Sequence, residues 1–180
     1  MSFSDLLFAF TEWLRSTQLV ETALSISEHP VSLLIAGNFW AIPVIQTVHI
    51  LALAAAFGSV LMINLHILGM TGKSRTLTQT VKRFQPWIWW SLLLLAISGI
   101  GMILGEPIRE LINPIFWIKM GLVITLVLLS LWYQSTVARN MVQWDMTLHA
   151  SAGVRVGSAL LIILWCVIMF AGRWIAYAPV

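Results

Sequence analysis

The positions of the charged residues divide the chain into long apolar stretches and short polar connections. The longest stretch, Pro30–Gly72, contains 43 residues and no Asp, Glu, Lys or Arg. Further uncharged stretches follow at Phe84–Gly105, at Met120–Ala138 with an extension back to Pro114, and at Val156–Gly172 with an extension to about Tyr177. About 20 apolar residues cross the hydrocarbon core of a bilayer. The pattern therefore predicts four membrane spans, at about 39–70, 84–105, 114–138 and 154–177.

Ahead of the first span, apolar residues recur at helical spacing with polar residues between them. They are Phe3, Leu6, Leu7, Phe10, Trp13 and Leu14. A helix of this kind lies in the membrane interface with its apolar face towards the lipid. We therefore predict an all-α integral membrane protein. Residues 1–37 form an amphipathic helical segment on the periplasmic side, and residues 38–180 form an antiparallel bundle of four transmembrane helices.

Prolines indicate where the spans begin. The first span, at roughly 48 Å for a helix over 39–70, exceeds the bilayer core, so we expect it to be tilted, kinked at Pro43 or projecting from the membrane. Pro86 is predicted to open the second span. Pro114, after Asn113, is predicted to open the third, because a proline in the first turn of a helix costs no hydrogen bond.

Composition agrees with a lipid environment and excludes several partners. The 180 residues are 59% hydrophobic and only 9% charged, with a mean hydropathy of +0.91, far from the values of soluble domains. The basic residues are not gathered into a patch with interleaved aromatics, so we exclude nucleic acid as a partner. Cys166 is the only cysteine, so the chain has no internal disulfide.

The basic residues predict the orientation of the bundle. The connection after the first span carries Lys73, Arg75, Lys82 and Arg83, and the one after the third carries Arg139 and Arg155. Basic connections remain in the cytoplasm. We therefore expect a multi-pass membrane protein with both termini on the outer side of the membrane. The start of the chain shows no basic segment followed by a cleavage site, so we expect no removable signal peptide.

Two histidines lie inside the first apolar stretch, and an ionisable residue within a span is a functional hypothesis by default. His49 follows Phe39 by ten residues, or roughly 15 Å of helix, which places it near the midplane. Gln46 and the small residues Ala52 and Ala56 share its face. They leave room for a flat cofactor or for a closely packed helix.

Haem b is the first candidate cofactor, because membrane bundles hold haem through histidines on facing helices. His49 and His66 cannot ligate one haem, since 17 residues of helix separate them by roughly 25 Å. The second ligand would be Met169, Cys166 or Met120 of the same chain, a second His49 across an oligomer axis, or a residue of a partner subunit. His66 with His149 is a weaker pair.

Two cations support a cofactor site in the outer half of the bundle. Lys119 lies six residues into the third span and Arg173 lies near the end of the fourth. Both would stand slightly above His49, where they could bind haem propionates or another anionic group. The alternative is that they extend outwards to lipid phosphates or pair with Glu106 and Glu110.

Copper is the competing cofactor. Imidazole, thioether and thiolate groups suit copper(I), and His49, Met120, Met169 and Cys166 offer all three. His29 at the outer surface could receive the metal from a periplasmic donor protein. The methionines have an equally simple role as apolar packing residues.

Other chemistry finds no support. The chain contains no HExxH, no glycine-rich phosphate loop, no GxSxG and no paired carboxylates within a span, which argues against a hydrolase or an NTP-driven pump. Four spans are also few for a secondary transporter.

Short motifs spread over nearly the whole chain carry a resemblance. They are Trp40-x-x-Pro43 with His49 and Gly58, Leu68-Gly69, Pro86-Trp87, Ser98-Gly99, Asn113-Pro114-x-Phe116-x-x-Lys119, Trp144-Asp145 and Gly172-Arg173-Trp174-Ile175-Ala176-Tyr177. In these the chain resembles a family of bacterial four-helix inner-membrane proteins of unknown function. That family is similar in shape to the copper-resistance-D-like and cytochrome b561-like membrane proteins. Its pattern has arginine where this chain has His66, which favours His49 as the shared functional residue.

The sequence thus leads to one main hypothesis and two alternatives. The main hypothesis is a b-type-cytochrome-like redox module with His49 as ligand and Lys119 and Arg173 as anion partners, with Gln46 and Met169 nearby. The alternatives are a copper-handling membrane protein and a structural subunit of a membrane complex. We expect a homo-oligomer or a subunit of a larger complex, served by a periplasmic redox or copper-donor protein.

Overall fold

The structure, a computed structural model, describes residues 3–72, 74–147 and 151–175. These residues form helices and connections and contain no strand. The helices are α1 (Phe3–Ser16), α2 (Leu19–Ser27), α3 (Pro30–Ala36), α4 (Ala41–Ile67), α5 (Leu77–Gly105), α6 (Pro107–Leu111), α7 (Pro114–Thr147) and α8 (Ala152–Trp174). Four of them, α4, α5, α7 and α8, are long and apolar enough to cross a membrane.

The apolar side chains of these four helices mostly point away from the protein. Only 17% to 33% of the most apolar window of each helix is buried within the chain. In water such exposure would oppose folding, because apolar surface is stabilised by leaving water. In lipid it carries no such cost. The prediction of an all-α, multi-pass membrane protein is confirmed.

The chain divides into two compact units. We call the first the His49 unit, which comprises Met1–Leu51, Leu94–Gly121 and Met169–Val180. We call the second the His66 unit, which comprises Ala52–Leu93 and Leu122–Ile168. Each unit contains a part of each of the four long helices.

In the His49 unit the short N-terminal helices pack on protein. Leu7, Thr11 and Leu14 of α1 are buried and share one helical face, and Leu7 joins an apolar cluster with Ile115, Phe116 and Ile175. The other apolar residues of α1 include Leu6, Phe8 and Trp13, which are all more than half exposed. Helix α1 therefore has two apolar surfaces, one for the protein and one that suits the predicted position in the interface.

The first long helix is shorter than the sequence predicted. It runs from Ala41 to Ile67, 27 residues or about 40 Å. Pro43 stands in the first turn, where backbone N–H groups have no helical partner, so the proline costs no helical hydrogen bond. At the other end, Gly69 has φ +77°, and Met70 N–H donates to Leu65 O while Gly69 N–H donates to His66 O. This is a Schellman ending, which favours glycine.

The second long helix begins before the predicted span. The backbone N–H of Gln79 donates to Thr76 Oγ1, and the Gln79 side chain accepts from the backbone N–H of Thr76. This reciprocal capping box starts α5 at Leu77, so Pro86 lies inside the helix and does not open it. Helix α7 begins at Pro114 as predicted, because the Asn113 side chain accepts from Ile115 N–H at 2.9 Å.

The His66 unit is held by polar and aromatic contacts between its helices. The hydroxyls of Tyr133 on α7 and Ser158 on α8 form a short hydrogen bond. The Tyr133 ring lies so close to Gly157 that a Cβ there would stand 3.3 Å from it. Phe57 and Trp165 contact each other with ring centroids 6.1 Å apart. Small residues on α8 thus allow a large aromatic on α7 to pack closely.

Candidate functional site

His49 on α4 forms a hydrogen bond to a neighbouring helix. Its Nδ1 lies 2.8 Å from the hydroxyl oxygen of Ser98 on α5. Ser98 is 5% exposed and His49 is half-buried. The ring is therefore held between two helices on one edge, and it does not rotate freely into lipid.

The partners of Ser98 determine which nitrogen of His49 carries the proton in the neutral ring. The Ser98 hydroxyl donates its single proton to Leu94 O at 2.6 Å, with a longer contact of 3.4 Å to Leu95 O. The oxygen can then only accept from His49, so Nδ1 is the donor. The lone pair of the neutral imidazole is left on Nε2, which is the atom that would bind a metal.

The surroundings of the ring leave space on one side and bring a cation near. A Cβ added at Gly99 would lie 3.8 Å from His49 Cε1, an ordinary contact distance. The half-buried Lys119 interacts electrostatically with His49. Its ammonium lies 5.9 Å from the centre of the Phe116 ring, and its stem lies beside Gly172, where a Cβ would be 3.7 Å from Cδ. Lys119 is thus held by a ring face and by glycine backbone.

Acidic residues of α6 and its N-terminus complete the charged part of the His49 unit. Glu106 pairs with Arg109 at 2.7 Å. Glu110 is half-buried, and burial raises its pKa above the ordinary value, while the positive charges of Lys119 and Arg109 oppose that rise and Glu106 adds to it. The predicted pairing of Lys119 with Glu106 or Glu110 is not among the ion pairs of the described residues, which are Arg15–Glu12 and Arg109–Glu106.

The other predicted site residues differ in burial, and one of them belongs to the other unit. Gln46 and Arg173 of the His49 unit are exposed, and Met169 is half-buried there. Met120 packs against the apolar cluster that contains Phe116. Cys166 belongs to the His66 unit and is exposed with a free thiol.

The remaining histidines have local partners or lie outside the described residues. His66 Nδ1 is 2.7 Å from the Thr80 hydroxyl, and its ring lies against Gly72. His29 is the N-cap of α3, and its Nδ1 accepts from Val31 N–H at 3.3 Å. His149 falls outside the described part of the chain. These contacts give His66 and His29 structural roles.

The residue that the sequence reasoning missed is Ser98. A single serine in an apolar span carries no distinctive signal. Its position along the helix would have identified it, because Ser98 lies at about the same depth as His49. His49 lies eight residues from the start of α4 and Ser98 lies seven residues from the end of α5, or roughly 12 and 10 Å along antiparallel helices.

Within the described residues, no group of three or more His, Cys, Asp or Glu side chains could hold a metal ion. Comparison of the chain with protein-family models, with curated proteins and with solved structures finds no match. Function must therefore be argued from the site itself.

Proposed function

We propose that the His49 unit binds a flat anionic cofactor through His49 Nε2 and that the protein is a b-type-cytochrome-like electron-transfer module, with haem b as the first candidate. The observation that carries the proposal is the hydrogen-bond chain from His49 Nδ1 to Ser98 and on to Leu94 O. Histidines that ligate metals commonly donate their second ring N–H to a fixed acceptor, which orients the ring. Bound haem would supply one-electron transfer.

The charges of the unit suit such a cofactor. Lys119, whose charge acts on His49, would bind a propionate, and Arg173 adds a second cation at the end of α8. The second axial ligand is proposed to be Met169 of the same unit or His49 of a second copy. The first alternative needs one chain and the second needs a homo-oligomer, so ligand identity and oligomeric state are linked.

The decisive experiment is a reduced-minus-oxidised absorption spectrum of the full-length protein purified from cells supplied with haem. We expect Soret and alpha bands in the wild type and their loss in His49→Ala. The matched control is His66→Ala, which removes the other histidine of α4 that bonds a hydroxyl on α5, and this variant should retain the bands. A wild-type protein without these bands, or a His49→Ala protein that keeps them, would reject the proposal.

Two further variants test the details. Lys119→Gln removes a charge-assisted hydrogen bond, which should weaken haem retention by about tenfold or more without moving the bands. Met169→Leu should convert the spectrum to that of a five-coordinate haem if Met169 is the second ligand. An unchanged Met169→Leu spectrum together with a dimeric protein would favour a second His49.

No specific observation on the described residues favours copper. Of its proposed ligands Met120 is engaged in apolar packing and Cys166 is exposed in the His66 unit. Metal analysis of the same preparation serves as its test, and stoichiometric copper bound through His49 would favour the alternative.

We also propose that the protein lies in the bacterial inner membrane with both termini in the periplasm. The support for the orientation is the concentration of basic residues in the connections after the first and third spans. The support for the bacterial inner membrane is the resemblance carried by the short motifs. In a Cys166→Ser background, Ser16→Cys and Ser74→Cys place single thiols at exposed positions on opposite sides of the proposed topology. An impermeant maleimide should label the first in intact cells and the second only after permeabilisation. The reverse pattern would invert the orientation.

A further inference from the structure

A cavity lies within the His66 unit, among all four long helices. Its volume is about 90 Å³. Seven of its twelve lining residues are aliphatic and none is charged. The polar ones are Asn64, Gln85, Ser130, Tyr133 and Gln134. A cavity of this kind suits a small neutral molecule that is apolar in part and can form hydrogen bonds.

One atom of the wall lacks a partner. Asn64 is 3% exposed, and its Nδ2 donates to Val60 O at 2.8 Å. Because Val60 O can only accept, this bond fixes which end of the amide is the oxygen. That oxygen, Oδ1, is buried and has no hydrogen-bond partner among the described residues. Buried acceptors are nearly always satisfied, so this one calls for a donor in the cavity.

We propose that the cavity is a binding site for a neutral hydroxyl group, whose O–H donates to Asn64 Oδ1. The lining residues Gln85 and Ala138 are exposed, so the cavity opens to the surface and its volume shows only what fits inside. That volume exceeds the roughly 30 Å³ that one water occupies and falls below the roughly 150 Å³ of a cavity that admits benzene. Two or three waters fit, and so does a short-chain alcohol. The site belongs to the His66 unit and does not depend on the haem proposal.

Hydroxyl-radical footprinting of the full-length protein in lipid nanodiscs tests the proposal. Tyr133 lines the cavity, and Phe116, in the apolar cluster of the His49 unit, is an equally buried reference, with both residues 6% exposed. Radicals form from water, so a hydrated cavity should oxidise Tyr133 several-fold faster than Phe116 after each rate is divided by the intrinsic reactivity of the free amino acid. The ratio of the two is the readout, which corrects for radical scavenging by added compounds.

An organic hydroxyl is distinguished from water with two isomers. 1-Butanol and diethyl ether contain the same atoms, and only the alcohol has a hydrogen-bond donor. If an alcohol binds, 1-butanol lowers the Tyr133 to Phe116 ratio and diethyl ether at the same concentration does not. If only water binds, the ratio is high and neither isomer changes it.

Substitution of Asn64 tests whether the oxidation of Tyr133 depends on Asn64 Oδ1, the oxygen without a partner. Asn64→Leu should weaken the effect of 1-butanol by about five- to tenfold, or lower Tyr133 oxidation several-fold where water is the occupant. Asn140→Leu is the matched control, because Asn140 has the same 2.8 Å bond to the carbonyl four residues earlier and does not line the cavity.

A second variant covers the case in which Asn64→Leu does not fold. Ser130→Phe fills the cavity and leaves Asn64 unchanged in sequence. It should also abolish the rapid oxidation of Tyr133 or the effect of 1-butanol on it. The proposal is overturned if Tyr133 is oxidised no faster than Phe116 and 1-butanol acts no differently from diethyl ether. It is equally overturned if Asn64→Leu and Asn140→Leu behave alike in folded protein.

Discussion

Two histidines on α4 each contact a hydroxyl on α5, and the neighbourhoods of their rings differ. His49 Nδ1 lies 2.8 Å from Ser98 Oγ, and His66 Nδ1 lies 2.7 Å from Thr80 Oγ1. Beside His49 a Cβ at Gly99 would be at ordinary contact distance, at 3.8 Å. Beside His66 a Cβ at Gly72 would stand 2.5 Å from two ring atoms. A methyl group therefore fits beside the His49 ring at Gly99, and none fits beside the His66 ring at Gly72.

The hydroxyl groups that contact the two histidines also differ in where their protons are bound. The proton of Ser98 is committed to Leu94 O at 2.6 Å, whereas Thr80 reaches Thr76 O only at 3.2 Å. The Thr80 proton is therefore free to point to His66, and either ring nitrogen of His66 can be protonated. Of these two histidines, His49 alone has a fixed tautomer with Nε2 available. A histidine within a span thus indicates a binding site only when its hydrogen bonds leave one ring nitrogen free to bind a ligand.

The largest expected effect comes from substituting the two glycines. Gly72→Ala places a Cβ against the His66 ring at a residue with φ +86°, so it should destabilise the fold by about 2–4 kcal/mol. Gly99→Ala lies in the interior of α5 with room for the methyl group, so it should be neutral or stabilising by up to about 1 kcal/mol. Thermal unfolding in detergent measures both.

The double variant Gly72→Ala with His66→Ala provides the control for the close contact. Removing the ring should recover part of the loss, and the part that remains is the cost of the backbone conformation. Equal destabilisation by Gly72→Ala and Gly99→Ala would show that the two rings are packed alike, which would remove the basis for distinguishing them.

A smaller effect is expected from the two hydroxyls. Ser98→Ala leaves His49 Nδ1–H without its acceptor, so it should cost about 1 kcal/mol and allow the second tautomer to form. Nitrogen-15 spectra of the neutral rings report this directly. In the wild type the His49 signals should show a protonated Nδ1 and an unprotonated Nε2, and in Ser98→Ala they should show a mixture.

Thr80→Val is the corresponding variant at His66 and keeps the shape of the side chain. It should leave the His49 signals unchanged. A wild-type His49 that already populates both tautomers would contradict the assignment of Nε2 as the ligand atom.

The fold could be predicted from the sequence because lipid imposes a simple rule on it. A helix that crosses a bilayer must be apolar over about 20 residues, and uncharged stretches of that length are visible without any structure. The ends of the helices were less predictable. The start of α5 depends on two hydrogen bonds between Thr76 and Gln79, and such a local cap outweighs the preference that places Pro86 in a first turn.

The site could be predicted only in part. His49 and Lys119 stood out because ionisable residues are rare in apolar spans. Ser98 and Asn64 did not, because their roles arise from packing between helices that are distant in sequence. Met120 has the chemistry of a ligand and the flexibility of a packing residue, and only the structure places it in the apolar cluster.

The two units also differ in charge. The His49 unit carries six acidic and four basic residues, a formal charge of −2. The His66 unit carries one acidic and six basic residues, a formal charge of +5. Lys119 belongs to the acidic unit, and its positive charge opposes the rise that burial causes in the pKa of the half-buried Glu110.

The smallest expected effect is the pH dependence that Glu110 contributes. Burial raises its pKa, so the folded protein holds this proton more tightly than the unfolded chain. Its contribution to stability should therefore decline as the pH rises from the ordinary glutamate pKa through the raised value, as carboxylate formation leaves an incompletely compensated charge. Melting temperatures between about pH 4 and pH 8 should fall more for the wild type than for Glu110→Gln, which removes the titration.

Glu12→Gln, which removes an exposed carboxylate of the same unit, is the control and should follow the wild type. If Glu110→Gln instead loses stability at the upper end of this range, the attraction of Lys119 and Arg109 outweighs burial, and the carboxylate of Glu110 is part of a charged cluster with Lys119.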